Sequence, residues 1–532
     1  MNDIFISQAG YRPDSIKKAV MPFPTESFEI VGIDGSVRAA GSTVYAGADK
    51  NSGDVLYTAD FSDFSEKGTF RIRVGNLTSE PFEIGDSVYE NALDCTSKAF
   101  YYLRCGCGLL EKYAGRFRHS VCHRSRGLLW ENRDISMEVS GGWHDAGDYG
   151  RYVTPGACAL AHLLYGYILF PNAFDRQQLN IPESGGILPD ILAECRYEFD
   201  WLLKMQRDDG AVYHKVTSAH HAPFIMPEED RSQMFVFPVS SSATADLAAV
   251  CALGSRVYGQ FDKDYAARLL DAAQRAFEWL EKNPGFLGFN NPPGCATGVY
   301  GESCDDDNRF WAAAELFAAS GDNKFLNSVR ELLKKDFSLT DFGCYSVGGL
   351  GALSYMLSAG GDSDIIKLFE DAFLNEANRL KAISDSCGYG AAMDEFEYGW
   401  GSNMNLLKHG MIFAIADRCF GKREFRRYAQ AQADVLFGVN ALGISYVTGI
   451  GGNCCKYPHL RPAYADGVEE CIPGMVCGGP NRNLDDPEAK CIFKPGTPPM
   501  KCFADNVACY SLNEVAIYWN SPAVFLLAYL CL

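Results

Sequence analysis

No apolar run in this chain approaches the roughly 20 residues that a membrane-spanning helix needs. Positive charge is also in deficit: 48 Lys and Arg face 67 Asp and Glu, a formal net charge of −19. Such a surface repels phosphate backbones and anionic lipid, so neither nucleic acid nor a membrane is expected as a partner. The N-terminus, Met1-Asn2-Asp3-Ile4-Phe5, lacks the basic and then apolar pattern of an export signal. The expected compartment is therefore cytoplasmic if the chain is whole and extracellular if an export segment has been removed. Cys-x-x-Cys spacing is missing, and 20 cysteines in 532 residues are too dilute for a small-domain disulfide framework. Cys251, Cys454, Cys455 and Cys531 read as ordinary buried thiols. No internal repeat is found.

What the chain does have is packing material. Apolar residues make up 47% and aromatics 13%, enough for one large domain plus a smaller one. An acidic, aromatic-rich protein suits neutral ligands, and uncharged sugars fit that description. Up to residue 86 the pattern is β: Phe28-Glu29-Ile30-Val31, Val55-Leu56-Tyr57-Thr58, Gly68 to Val74 and a last strand near Ser79 to Ile84 alternate with Gly and Asp clusters. This spacing predicts a small β-sandwich, with Tyr11, Phe28, Tyr57, Phe61, Phe70 and Phe82 as its core. From about residue 90 the period becomes helical. Leu269, Ala273, Ala276 and Leu280 share one face ended by Pro284; Phe310, Ala313, Ala314 and Phe317 share another stopped by Gly321. Ile191, Cys195, Phe199 and Leu202 form a third. Further segments near 155–169, 242–258, 346–358, 364–382, 404–418, 423–437 and 513–531 bring the total to around a dozen helices packed on helices. Helical sequence runs to Leu532.

Two acidic features carry chemistry. Gly141-Gly142-Trp143-His144-Asp145-Ala146-Gly147-Asp148-Tyr149 sets two carboxylates three residues apart. The glycines predict a tight loop, and Trp143, Tyr149 and Tyr152 predict partial desolvation. Two acids held close in an apolar rim repel, and one becomes a stronger base than free aspartate. Glu514 is the single acid in Tyr510-Ser511-Leu512-Asn513-Glu514-Val515-Ala516-Ile517-Tyr518-Trp519; burial would raise its pKa, as a proton donor requires. The competing reading places Glu514 at a helix start with Asn513 as its cap. A base pair, a donor acid and aromatic surfaces are a glycosidase inventory. Trp143, Trp400, Tyr457 and Trp519 are candidate platforms for pyranose faces.

Gly142 to Tyr149 and Asn513 to Asn520 resemble the two signatures of glycoside hydrolase family 9, the inverting cellulases. Tyr457-Pro458-His459-Leu460-Arg461, Tyr398 to Asn403, and Asp200 to Gln206 running into Val212 to Val216 are similar to further family segments. Ile6 to Pro13 resembles the first strand of the immunoglobulin-like module carried by one branch. The resemblance implies an immunoglobulin-like sandwich over residues 1–86 and an (α/α)6 barrel catalytic domain over residues 87–532. It implies Asp148 as general base, Asp145 as holder of the attacking water, Glu514 as general acid, and His459 and Arg461 as sugar ligands. Many members have a second His where this chain has Leu460. An inverting mechanism needs water between base and anomeric carbon, so the working carboxyls should stand roughly 6.5–9.5 Å apart.

Metals are expected at two places. Cys105, Cys122, His123 and His144 compose the ligand set of a closed structural zinc site, with Cys107 as the alternative to Cys105; the resemblance supports zinc there, beside Asp145. Glu302, Asp305, Asp306, Asp307 and Asn308 form an oxygen-rich loop suited to calcium, with Glu302, Asp305 and Asp307 as ligands, or simply an acidic first helical turn. The leading expectation is thus a monomeric endo-acting β-1,4-glucanase working on cellulose and related β-glucans. An exo-acting cellobiohydrolase or cellodextrinase is the nearest alternative. A non-catalytic carbohydrate-binding protein and a zinc hydrolase with His144 and Asp145 at an open metal are more distant ones.

Overall fold

The computed structural model describes residues 4–532, which fall into two compact units. One comprises Met1–Ala99, Glu376–His459 and Glu469–Leu532; the other comprises Phe100–Asn375 and Leu460–Val468.

The first unit begins with an antiparallel β-sandwich: β1 (Lys18–Met21), β2 (Ser27–Gly32), β3 (Val37–Ala48), β4 (Val55–Asp60), β5 (Gly68–Val74), β6 (Leu77–Thr78) and β7 (Phe82–Ile84). The strands run β1-β4-β3-β2-β5-β6, and β7 also pairs with β5. β3 links the two layers. Val37 to Ser42 pair with β2, Thr43 to Ala48 pair with β4, and the register slips between Tyr45 and Gly47, as a bulge does where a strand bends. Tyr11, Phe28, Phe61, Phe70 and Phe82 meet Ile30, Ile72 and Ile84 in the core, with Tyr57 at its edge. β1 and β3 escape the sequence reading. No residue of β3 is buried, so its small residues show no alternation.

The same unit holds helices Ser402–Phe420, Arg426–Leu436 and Ile517–Leu530, and the first packs on the other two. The helix expected over 513–531 is broken: Tyr510–Asn513 is one short turn, and the chain is extended at Glu514 before Ile517–Leu530 begins.

The second unit contains Val153–Leu169, Asp190–Met205, Ser241–Tyr258, Lys263–Lys282, Asp306–Ser320, Asn323–Leu332 and Gly348–Leu357. Ser241–Tyr258 packs against Val153–Leu169, Lys263–Lys282 and Asp306–Ser320. Side-chain caps set two starts: Ser240 accepts from the Ala243 amide and Asp262 from the Tyr265 amide. Gly321, at φ 68°, ends Asp306–Ser320 as its spacing predicts. Glu90–Tyr102 and Ser363–Ser386 run across the division between units. A small sheet joins β8 (Gly127–Leu129), β9 (Ser136–Met137), β10 (Arg151–Tyr152), β11 (Lys215–Thr217) and β12 (Phe235–Val236) in the order β10-β11-β12-β8-β9. It ties the end of the Asp145/Asp148 loop to β11.

Candidate active site

The paired carboxylates sit on irregular backbone, as the glycines predict. Gly141 and Gly142 have φ of 104° and 74°. A Cβ on Gly142 would lie 2.8 Å from Trp201 and 2.9 Å from Glu198, so the loop can pass here only without a side chain. The Asp145 amide donates to the Gly150 carbonyl at 2.9 Å, closing the loop. Trp143 is not a platform. It is 1% exposed, its amide donates to Glu198 at 2.6 Å and its indole N–H to Glu194 at 2.9 Å. Both of its polar groups are spent on buried acids and its ring packs on Phe100, so it anchors the loop from within.

Asp145 and Asp148 are both buried but meet different partners. The Tyr300 hydroxyl donates to Asp145 Oδ2 at 2.6 Å, while Oδ1 has no hydrogen-bonding partner among the described residues. Burial, then the charge of Asp148, holds the Asp145 carboxyl well above the usual range, against the Tyr300 bond. Burial alone would also raise Asp148. Its Oδ2 instead lies 3.0 Å from His221 Nδ1 and accepts from the Tyr152 hydroxyl at 3.3 Å. The His221 bond and charge, then Arg461 and the Gly150 amide, outweigh burial and bring the Asp148 carboxyl below its usual range. The expected splitting of the pair is present, but the raised member is Asp145, and Asp148 is kept ionised. Sequence reading missed His221 and Tyr300; the only local signals are the His220-His221 pair and the aromatic in Gly298-Val299-Tyr300-Gly301.

Arg461 belongs to the same unit and acts on backbone. Its Nε donates to the Ala222 carbonyl at 2.7 Å and an Nη to the Gly147 carbonyl at 2.5 Å. It therefore grips the residues next to His221 and Asp148.

His459 and Glu514 lie in the first unit and form a parallel β-bridge with each other. The His459 amide donates to the Asn513 carbonyl at 2.9 Å, and the Gly478 amide to the Glu514 carbonyl at 2.8 Å. His459 Nδ1, 2.6 Å from the Val507 carbonyl, donates there. Asn513 does not cap a helix: its amide donates to the Tyr457 carbonyl at 2.6 Å and to Asp505 at 3.0 Å. Glu514 is half-buried in the extended break, not in a first helical turn. Trp519 is 4% exposed, and a Cβ on Gly401 would lie 2.8 Å from its ring, so it too is core and not a platform. Trp400 and Tyr457 are open at 47% and 61%, and Trp400 lies 5.4 Å from Tyr510.

The ligand atoms of Cys105, Cys122, His123 and His144 all lie within 4.8 Å of one another, and all four residues are buried. This is the one group of at least three metal-ligating side chains so gathered among the described residues. His144 Nε2 and His123 Nδ1 have no hydrogen-bonding partner; these are the nitrogens a cation would use. His123 Nε2 is 3.2 Å from Asp230, the outer carboxylate that fixes a ligating imidazole. The residues fit a tetrahedral metal site, and Cys107 is not among them. The oxygen-rich loop is less regular. Asp305 pairs with Arg309 at 2.9 Å and Asp307 accepts from the Val347 amide at 2.9 Å. Glu302 faces Asn308 at 3.5 Å, and Asn308 donates to Asp246 at 2.9 Å. Asp246, which sequence reading did not include, and Asn308 each keep a buried oxygen without a partner. Burial, then the charges of Asp246 and Asp307, pushes the Glu302 carboxyl up to about 10.

Residues 89–527 match glycosyl hydrolase family 9, and residues 1–79 match the cellulase N-terminal Ig-like domain. A cellodextrinase of Butyrivibrio fibrisolvens is 43% identical over 545 residues, spanning 99% of both chains. Among solved structures, a single mutant of a thermostable endoglucanase from Alicyclobacillus acidocaldarius superposes with a TM-score of 0.94 at 35% identity over 100% of both chains. A Zn-binding triple mutant of a family 9 endoglucanase does so with a TM-score of 0.92 at 34% identity, over 98% of this chain and 99% of that one. The chain belongs to glycosyl hydrolase family 9. It is a glycoside hydrolase with a helical catalytic domain like those of these endoglucanases, preceded by an immunoglobulin-like β-sandwich.

Proposed function

We propose that this enzyme cleaves β-1,4-glucosidic bonds in cellulose and related β-glucans by an endo-acting, inverting single displacement. In this reading Asp148 takes a proton from water, Asp145 holds that water through its unshared oxygen, and Glu514 protonates the departing glycosidic oxygen. His459 binds the sugar beside the scissile bond, and Arg461 both approaches it and holds the base loop. Trp400 and Tyr457 are the remaining platforms. The observation that carries the reading is the presentation of the pair: Asp148 is held ionised by His221 beside Asp145, whose Oδ1 is unpartnered. Inversion further requires the Asp148 and Glu514 carboxyls to stand roughly 6.5–9.5 Å apart when substrate is bound.

The Cys105, Cys122, His123 and His144 set is proposed to hold zinc. With four protein ligands zinc supplies a fixed cross-link beside Asp145 and no open position for chemistry. Calcium is proposed at Glu302, Asp307, Asp246 and Asn308, with Asp305 left to Arg309. Elemental analysis of protein purified without chelator tests both. The domain division is placed at residues 86/87, and the protein is taken as a monomer. The name of the Butyrivibrio relative favours a second reading, action on short cellodextrins. Loss of viscosity of carboxymethyl cellulose ahead of sugar release supports endo action; sugar release without thinning supports the other.

Products of cellopentaose followed with an anomeric readout test the mechanism. The expected new ends are α-configured. Asp148→Ala and Glu514→Gln should each lower turnover on unactivated glucan by on the order of a thousandfold, with folding intact. β-Configured new ends, or near-normal activity in either variant, would overturn the assignment.

A further inference from the structure

We infer that Tyr464, backed by Phe224, is an additional glycosyl-binding platform beside the Asp148 loop and makes the enzyme discriminate β-glucans by chain length. The inference rests on the hydrolase reading above.

Tyr464 lies in the short helix Arg461–Ala465, started by Pro462 at a position where its fixed φ suits a first turn. Residues three apart share a helix face, so Tyr464 follows Arg461 one turn along the same side. That side is fastened to the base assembly. The Arg461 amide donates to the Gly147 carbonyl at 3.2 Å, and its guanidinium donates to the Gly147 and Ala222 carbonyls. Gly147 and Ala222 adjoin Asp148 and His221, which themselves meet at 3.0 Å. One arginine thus sets the position of the helix against both halves of the base.

The ring of Tyr464 is held but not buried. It meets Phe224 edge-on, with centroids 4.9 Å apart and planes at 61°, while the Arg461 guanidinium carbon lies 5.3 Å from the centre of the Phe224 ring. Tyr464 is nevertheless 60% exposed. A rigidly backed, open aromatic face beside a catalytic loop offers the C–H face of a pyranose an apolar surface, and the phenol adds a polar handle. Charge selects the same ligand class, since the acidic chain disfavours anionic partners. A glucan long enough to run from the carboxylates past this helix gains the contact, and a short one does not reach it.

The test compares kcat/KM on cellotriose through cellohexaose for the wild type, Tyr464→Ala and Tyr464→Phe, with thermal unfolding as a control on folding. Tyr464→Ala should lose roughly tenfold on the longest substrates and leave the shortest unchanged. Tyr464→Phe should keep most of the activity because it keeps the ring face. An equal loss at every length, or no loss at any, would overturn the platform. Wild-type protein inert on every cellodextrin would instead overturn the hydrolase reading.

Discussion

Asp148 is governed by opposing effects. Burial favours its neutral form; His221, Arg461 and the Gly150 amide favour the carboxylate and prevail, while the charge of Asp148 raises Asp145. Tyr152 touches the same oxygen as a neutral donor, and the buried Lys215 ammonium adds an attractive charge from β11. A base must be ionised to work, so a depressed carboxyl pKa extends activity toward acid. His221→Asn removes the charge while keeping a donor. The acidic limb of the kcat/KM profile should then move to higher pH, because the carboxylate loses the bond and charge that hold its pKa down. An acidic limb that stays in place in His221→Asn would show that His221 does not set the charge of the base.

At the scale of elements, two breaks in regular structure position the chemistry. One is the extended step between Tyr510–Asn513 and Ile517–Leu530, which lets Glu514 pair with His459. Apolar residues stand on both sides of it, at Leu512 and from Val515 to Trp519, so periodicity read across 513–531 predicts one helix. The second is the Asp145/Asp148 loop, whose glycines announce it, and whose fixation depends on groups distant in the chain: Glu194 and Glu198 on Trp143, Tyr300 on Asp145, and the Cys105 amide on Gly142 at 2.8 Å. If the cysteine–histidine cluster holds zinc, Cys105→Ser or chelation should remove the metal and lower Tm by on the order of 5 °C. It should also reduce kcat on soluble cellulose, since the neighbouring loop loses its cross-link. Unchanged metal content and Tm in Cys105→Ser would refute the site.

At the scale of the molecule, the β-sandwich and the C-terminal helices share one unit, joined through Gln8. Its side-chain amide donates to the Gly443 carbonyl at 3.1 Å and the Asn453 carbonyl at 3.2 Å, and its oxygen accepts from the Asn453 amide at 2.8 Å. Gly451, at φ 93°, allows the approach; a Cβ there would lie 2.6 Å from Gln8. This loop runs directly into Cys454 to His459. Gln8→Ala should therefore cost about 2 kcal/mol in thermal unfolding, while KM on short cellodextrins stays near wild type. Removal of residues 1–86 should give insoluble or heat-labile protein, and a soluble, fully active fragment would contradict a stabilising role for the sandwich.

Much of this protein is legible along the chain because the relevant signals are local. Helical periods mark Val153–Leu169, Ser241–Tyr258 and Lys263–Lys282; Gly321 marks a stop; the motif around Asp145 and Asp148 and the isolated Glu514 mark the acids. The sequence alone also separates sandwich from helices, through a change of period near residue 90. Tertiary structure decided what depends on neighbours far apart in sequence. It made Asp148 the ionised member of its pair by bringing His221 to it, placed Trp143 and Trp519 in the core while Trp400 and Tyr457 stayed open, and brought Asp246 to Glu302. Spacing reports which side chains share a face, whereas desolvation and charge pairing depend on what that face meets.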